Sequence, residues 1–113
     1  MESQSELFAE IVKGITEFQK ELPAVMAAKN TFSNEVYQDG ALSLKVKRLI
    51  ALGIALRAGC LPCILAQTKF AVEAGASKAE VVEAVSVAAA MGGTTTSSYS
   101  WMVLKLLKEL GKW

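Results

Sequence analysis

The sequence contains no histidine, which excludes an imidazole of the same subunit as general base, proton relay or metal ligand. Two cysteines and two prolines are present in 113 residues. Twelve basic residues against eleven acidic ones give a net charge of +1, and no stretch is notably basic. We therefore expect neither nucleic acid nor a membrane as a partner. A chain of this length predicts a single domain over residues 1–113 with its own hydrophobic core.

Apolar residues are abundant, at 52% of the chain with a mean hydropathy of +0.34. A small domain cannot cover that much apolar surface with its own core, which favours a homo-oligomer. The amino terminus, residues 1–6, is polar and acidic where a secretory signal would be basic and then apolar, so we expect a cytoplasmic protein. In that reducing compartment a close pair of cysteines is more often redox-active or metal-binding than a structural crosslink.

One stretch has the length of a membrane span, because residues 84–104 carry no charged side chain. Its middle, residues 92–98, is a polar block that begins with two glycines. Such a block would lie in the hydrocarbon, so the stretch is better interpreted as two buried helices joined by a polar connection.

Hydrophobic spacing and helix-end signals predict an all-α fold of about six helices, since no alternating strand pattern occurs. The predicted helices cover residues 7–22, 23–37, 44–57, 61–74, 78–91 and 99–110. We expect residues 1–22 to form an amino-terminal helix and residues 42–110 to form the core. The second helix should bury Phe32, Val36 and Tyr37, and the third should be buried nearly all round beyond a solvated basic edge over residues 45–48.

Cys60 and Cys63 lie at the start of the fourth predicted helix, with Pro62 tolerated in its first turn. This spacing allows a disulfide with little backbone movement, and the amides of a helix start favour a thiolate over a thiol. A thiolate attacks a peroxide or another disulfide. Inert buried thiols remain an alternative, as does half of a zinc site completed by carboxylates or by a second subunit. With two thiols and no histidine we expect no bound metal and no cofactor.

Four runs at characteristic spacings resemble the carboxymuconolactone decarboxylase / alkylhydroperoxidase D-like family: residues 42–52, Gly59-Cys60-x-x-Cys63, residues 74–81 and residues 90–93. The match covers roughly residues 23–110. The resemblance implies an all-helical subunit that assembles into trimers or hexamers. In the redox branch of the family it implies a peroxidase or thiol-disulfide reductant, with a hydroperoxide or a disulfide as substrate and a dithiol as electron donor.

The redox branch has a glutamate, a C-x-x-C pair twelve residues later, and a histidine four residues after the second cysteine. The resemblance thus implies that Cys63 is the peroxide-reactive thiol and Cys60 its partner. This chain departs from the pattern at two positions, with Arg48 where the glutamate is expected and Gln67 where the histidine is expected. Neither side chain can accept and pass on a proton, although Gln67 can hydrogen-bond a sulfur and Arg48 could lower the pKa of a nearby thiol.

Three questions stay open at this point. Helix geometry favours Cys60 as the attacking thiol, whereas the resemblance nominates Cys63. A carboxylate such as Glu35 or Glu73 could replace the missing base. We expect a thiol-disulfide oxidoreductase with weakened peroxidase activity, and the alternative is a non-catalytic helical oligomer whose disulfide is structural or redox-sensing. Decarboxylation, the reaction that names the family, ranks last because the chain has no histidine.

Overall fold

The computed structural model describes residues 2–113, which form six helices and no strand. The helices are α1 (Gln4–Glu21), α2 (Pro23–Val36), α3 (Leu44–Ala58), α4 (Leu61–Glu73), α5 (Lys78–Ser97) and α6 (Ser100–Glu109). The predicted all-α class and the number of helices are confirmed. Most boundaries agree within about three residues, which is the usual scatter of helix ends, and α5 is the exception.

Serine side chains begin three of these helices. The hydroxyls of Ser3, Ser43 and Ser77 each accept the backbone amide three residues further on. At Ser77 the carboxylate of Glu80 also accepts the Ser77 amide at 2.9 Å, which completes the capping box predicted from the sequence. These caps satisfy amides that a helix start would leave without partners.

The core lies among α3, α4, α5 and α6, with α3 packed against both α4 and α5. α1 closes one side of it through Leu7, Phe8 and Ile11. The side chains of the core that are at most 1% exposed are Leu52, Leu56, Ile64, Leu65, Ala71, Val81, Val103, Leu106 and Leu107. The turn between α3 and α4, which carries the cysteine pair, is therefore built on the best-packed part of the subunit.

The start of α1 is fixed by Glu109 at the end of α6. Ser3 donates its hydroxyl to this carboxylate at 2.6 Å, and the amides of Gln4 and Ser5 donate to it at 3.0 and 3.1 Å. These hydrogen bonds, that of Ser3 first, lower the pKa of Glu109 to about 2. The carboxylate thus stays ionised and holds the two ends of the chain together.

Most of α2 does not pack against the rest of the chain, and Met26 is its one buried side chain. The predicted buried side of this helix is wrong: Phe32 is 72% exposed, Val36 is exposed and Tyr37 is only partly buried. The carboxyl-terminal half of α1 is similar, since its apolar face continues past Ile11 but is exposed there. Periodicity identified the apolar faces, but these faces have no cover within the subunit.

The prediction that α3 is buried nearly all round is also wrong for the single subunit. Ile50 and Ile54 are 48% and 65% exposed. They line an apolar groove of about 620 Å³ between α3 and α5, together with Val87 and Met91. The same helix buries Leu52, Ala55 and Leu56 on its opposite side.

The uncharged stretch over residues 84–104 is divided by a break in helical backbone at Gly93, where φ is 63° and ψ is −148°. Glycine adopts this left-handed φ without a side-chain clash. Beyond the break a helical turn resumes through Ser97, so the polar connection predicted over residues 92–98 is shorter than expected. Among residues 2–113, no helix is both long enough and apolar enough to cross a bilayer.

Candidate active site

The turn between α3 and α4 depends on Gly59, which ends α3 in the left-handed conformation with φ of 69°. A Cβ at this position would also lie 3.2 Å from the Tyr99 hydroxyl. A residue other than glycine would be strained on both counts. Gly59 thereby sets Cys60 at the N-cap of α4.

Cys60 and Cys63 form a disulfide across the first turn of α4, with their Cα atoms 5.2 Å apart. The Cys63 amide donates to the Cys60 sulfur at 3.3 Å, so the sulfur occupies the place of a capping oxygen. Cys63 is exposed to solvent and Cys60 is partly buried. The two cysteines therefore differ: Cys63 is the more exposed residue, and the Cys60 sulfur faces the amide end of a helix.

Arg48 and Gln67, which occupy the positions of the expected glutamate and histidine, contact each other directly. The Arg48 Nη1 atom donates to Gln67 Oε1 at 3.2 Å, a link between α3 and α4. Because a guanidinium only donates, Gln67 must present its oxygen to Arg48, and its amide nitrogen is directed elsewhere. Gln67 follows Cys63 by one helical turn on the same face of α4.

Two aromatic rings complete this cluster. The guanidinium carbon of Arg48 lies 3.6 Å from the centroid of the Tyr37 ring and 4.6 Å from that of Phe70. Such cation–π contacts are attractive and restrict the orientation of the guanidinium. Neither ring was predicted from the sequence as part of the site. Phe70 has a weak signal, since it lies one turn beyond Gln67 on α4. Tyr37 follows the last residue of α2 and has none.

The neighbouring basic residues of the predicted solvated edge are only partly exposed, and each lysine has a partner of its own. Lys45 forms an ion pair with Glu80 at 2.8 Å. Lys47 donates to the carbonyl oxygens of Val36 and Gln38 at 2.8 and 2.6 Å, which ties the end of α2 to α3. Both lysines and Arg48 are partly buried.

Within residues 2–113 no carboxylate makes a hydrogen bond or an ion pair with Cys60, Cys63, Arg48 or Gln67. Glu35 and Glu73 are exposed, and over residues 2–113 their side chains make neither a hydrogen bond nor an ion pair. The hydrogen bond from Lys45 and that from the Ser77 amide lower the pKa of Glu80 to about 2. A carboxylate with so low a pKa is a weak base near neutral pH. Nor do residues 2–113 bring three or more potential ligands among Cys, Asp and Glu together for a metal ion.

The model of the carboxymuconolactone decarboxylase family matches residues 23–106. The chain belongs to this family. The match includes α2 to α5 and most of α6, and with them the cysteine pair, Arg48 and Gln67. The family assignment expected from the sequence is confirmed.

Similar proteins agree with this assignment. An uncharacterised protein of Cupriavidus necator is 33% identical over 88 residues, which cover 78% of each chain. An uncharacterised protein of the cox locus of Paracoccus denitrificans is 35% identical over 78 residues, or 69% of this chain and 70% of that one. The crystal structure of a carboxymuconolactone decarboxylase family protein from Legionella pneumophila, in its apo form, superposes with a TM-score of 0.90 at 28% identity. That superposition covers 96% of this chain and 97% of the other.

Proposed function

We propose that this protein is a thiol-disulfide oxidoreductase that cycles Cys60 and Cys63 between dithiol and disulfide, and that it reduces hydroperoxides more slowly than disulfides. The observation that carries this proposal is the asymmetry of the pair. Cys63 is exposed, whereas the Cys60 sulfur accepts a hydrogen bond from the Cys63 amide in the first turn of α4. These are the properties of an entry sulfur and of a good leaving group.

In the reductive half-reaction, a thiolate of a dithiol donor attacks the sulfur of Cys63, the more exposed residue of the pair. A bond forms between the donor sulfur and Cys63, the bond between the two cysteines breaks, and Cys60 leaves as a thiolate. The α4 amides stabilise that charge. The second donor thiol then displaces Cys63, so that two electrons pass from the donor to the protein and the donor becomes a disulfide.

In the oxidative half-reaction, the Cys63 thiolate attacks one sulfur of a substrate disulfide and releases the other as a thiolate, which takes up a proton from solvent. Cys60 then attacks Cys63, reforms the protein disulfide and releases the second substrate thiol. With a hydroperoxide the Cys63 thiolate attacks the terminal oxygen, the O–O bond breaks, and the alkoxide leaves and takes up a proton from solvent. The resulting sulfenic acid condenses with Cys60 and releases water.

The pair formed by Arg48 and Gln67 separates these two reactions. The amide hydrogens of Gln67, oriented by Arg48, can donate to a thiolate on Cys63 and so favour it without accepting its proton. A thiol leaving group needs little help, but an alkoxide depends on a proton donor. General acid–base catalysis contributes typically about 10²–10⁴ in rate, which is the loss expected for the hydroperoxide reaction.

We also propose that the subunit works in the cytoplasm as a homo-oligomer, a trimer or a hexamer. The exposed apolar side chains of α1 and α2 and the groove between α3 and α5 support this assembly. Contiguous exposed apolar faces are typical of surfaces that contact another protein. A second copy of the chain carries the same apolar faces and is the partner that we propose.

Trapping experiments with the two single-cysteine variants test the proposed roles. Reduced protein freed of donor is mixed with bis(2-hydroxyethyl) disulfide, stopped with acid and weighed by mass spectrometry. We expect Cys60→Ser to accumulate a mixed disulfide on Cys63, and Cys63→Ser to lose at least about 100-fold in turnover while keeping its helicity. Disulfide or hydroperoxide turnover at the wild-type rate in Cys63→Ser would contradict the mechanism.

The second candidate function is a structural or redox-sensing disulfide in a non-catalytic oligomer. The direct hydrogen bond between Arg48 and Gln67 favours it, because this bond replaces a proton relay with two groups that cannot relay protons. In that case Cys63 would have the unperturbed thiol pKa of about 8.5 and wild-type protein would not turn over. A measured pKa well below that value, with turnover, supports the oxidoreductase.

A further inference from the structure

The three cations at the start of α3 differ in the groups that bind them. Lys45 is paired with the carboxylate of Glu80, and Lys47 is bound by two carbonyl oxygens at the end of α2. Arg48 has neither: within residues 2–113 no carboxylate oxygen lies within 4.0 Å of its guanidinium. A partly buried positive charge normally has an anionic partner, because burial without one costs free energy.

The groups around Arg48 are donors. Its guanidinium has five N–H groups, and one side-chain hydrogen bond uses one of them, to the Gln67 oxygen. The same bond turns the Gln67 amide nitrogen, with its two N–H groups, away from Arg48. The rings of Tyr37 and Phe70 lie against the guanidinium and limit its access to water. The cluster thus offers several hydrogen-bond donors and a positive charge at a partly buried position. These properties suit the binding of a carboxylate or another small oxyanion.

This cluster lies beside the redox pair. Gln67 is one turn after Cys63 on α4, and side chains at that spacing are neighbours on the helix surface, with Cβ atoms about 5–6 Å apart. Arg48 is in direct contact with Gln67. A substrate sulfur at Cys63 would therefore place a carboxylate on a short carbon chain within reach of Arg48.

We propose that Arg48, with Gln67, is a specificity site for the anionic group of an acidic disulfide or acidic hydroperoxide that reacts at Cys63. This inference rests on the proposed function for its reaction, but the binding of the anion does not require turnover. The positive charge and the covering rings hold the anion, and the exposed Cys63 receives the reactive sulfur or oxygen.

The kinetic test compares two disulfides of similar size, 3,3′-dithiodipropionate with two carboxylates and neutral bis(2-hydroxyethyl) disulfide. Pre-reduced protein is mixed with each, and formation of the protein disulfide is followed in a single turnover. We expect wild type to react with the dicarboxylate about tenfold faster or more, as befits a hydrogen-bonded ion pair. The preference should be lost in Arg48→Met and kept in Lys45→Met, which removes the same charge three residues away.

A binding test without chemistry uses the fact that Arg48 and Arg57 are the two arginines of the chain. In the Cys60→Ser, Cys63→Ser double variant, the Nε–H signals of both arginines are followed by nuclear magnetic resonance during titration with 3,3′-dithiodipropionate. We expect the Arg48 signal to shift and saturate while that of Arg57 does not move. The neutral disulfide should shift neither.

The outcomes separate the two proposals. A saturable shift of the Arg48 signal without any wild-type turnover would retain the anion site and refute the oxidoreductase. Turnover with equal rates for both disulfides, and no shift at Arg48, would overturn the anion site alone. Loss of the preference in Lys45→Met as well would reduce the effect to net charge and would also overturn it.

Discussion

Two pairs of consecutive helices are opposite in how they are packed. The hairpin of α3 and α4 turns at Gly59 and buries side chains such as Leu52, Leu56 and Leu65 completely. In the pair of α1 and α2, the second helix buries Met26 alone and exposes Phe32. The hairpin of α3 and α4 therefore holds the cysteine pair and its neighbours within one packed core. The pair of α1 and α2 leaves apolar surface that residues 2–113 do not cover.

The largest effect should come from the buried hairpin. Leu56→Ala removes a fully buried side chain from the core, and we expect the free energy of unfolding to fall by about 2–5 kcal/mol. The matched change Phe32→Ala should cost less than about 1 kcal/mol in the dissociated subunit, because this side chain is 72% exposed. Urea unfolding at low protein concentration measures both. Equal losses would show that the pair of α1 and α2 is packed like the hairpin of α3 and α4.

The exposed pair of α1 and α2 should instead control the association of copies of this chain. Phe32→Glu places a charge on the apolar side of α2, and we expect association to weaken by about tenfold or more with helicity unchanged. Asn34→Glu is the control, since it adds the same charge to an exposed position two residues away. Light scattering across a dilution series reports the oligomer. Identical masses for Phe32→Glu and wild type at every dilution would exclude α2 from the interface.

A smaller effect is expected where α6 holds the start of α1. Glu109→Ala leaves the amides of Gln4 and Ser5 without their acceptor, and we expect a loss of about 1 kcal/mol, as for other helix-start acceptors. Urea unfolding measures this loss, and hydrogen exchange at these two amides locates it. Glu83→Ala is the control, because Glu83 is exposed and its carboxylate makes no hydrogen bond within residues 2–113.

The contribution of Glu109 should also depend on pH. Its pKa in the folded protein is about 2, below the ordinary value of 4.5, so the stabilisation is complete above about pH 4.5. It should be lost as pH falls from there towards 2. Wild type and Glu109→Ala should then converge in stability at acid pH. A difference that persists unchanged to pH 2 would mean that the carboxylate charge is not responsible.

The helices could be predicted from the sequence because their signals are local. Serine caps, glycine ends and the periodicity of apolar residues depend on neighbours in the chain, and the capping box of Ser77 and Glu80 is confirmed in detail. Which apolar face is covered cannot be read in this way. Phe32 has the spacing of a buried residue, but no part of residues 2–113 covers it.

The candidate site could be predicted only in part, for a similar reason. The spacing of Cys60 and Cys63 is local, and the resemblance to a family supplied positions 48 and 67. That Arg48 and Gln67 contact each other depends on how α3 packs on α4. The ring of Tyr37 contacts Arg48 from the residue that follows α2, and no sequence rule predicts such a contact.

The central claim is that Arg48 and Gln67 stand in place of a proton relay, and the double variant Arg48→Glu, Gln67→His tests it most directly. The measurement is the rate at which a hydroperoxide oxidises the reduced cysteine pair, in wild type and in this variant, with helicity as the control for folding. We predict slow oxidation of wild type and a rate about 10²–10⁴ higher in the variant. A folded variant that is no faster than wild type would contradict the account.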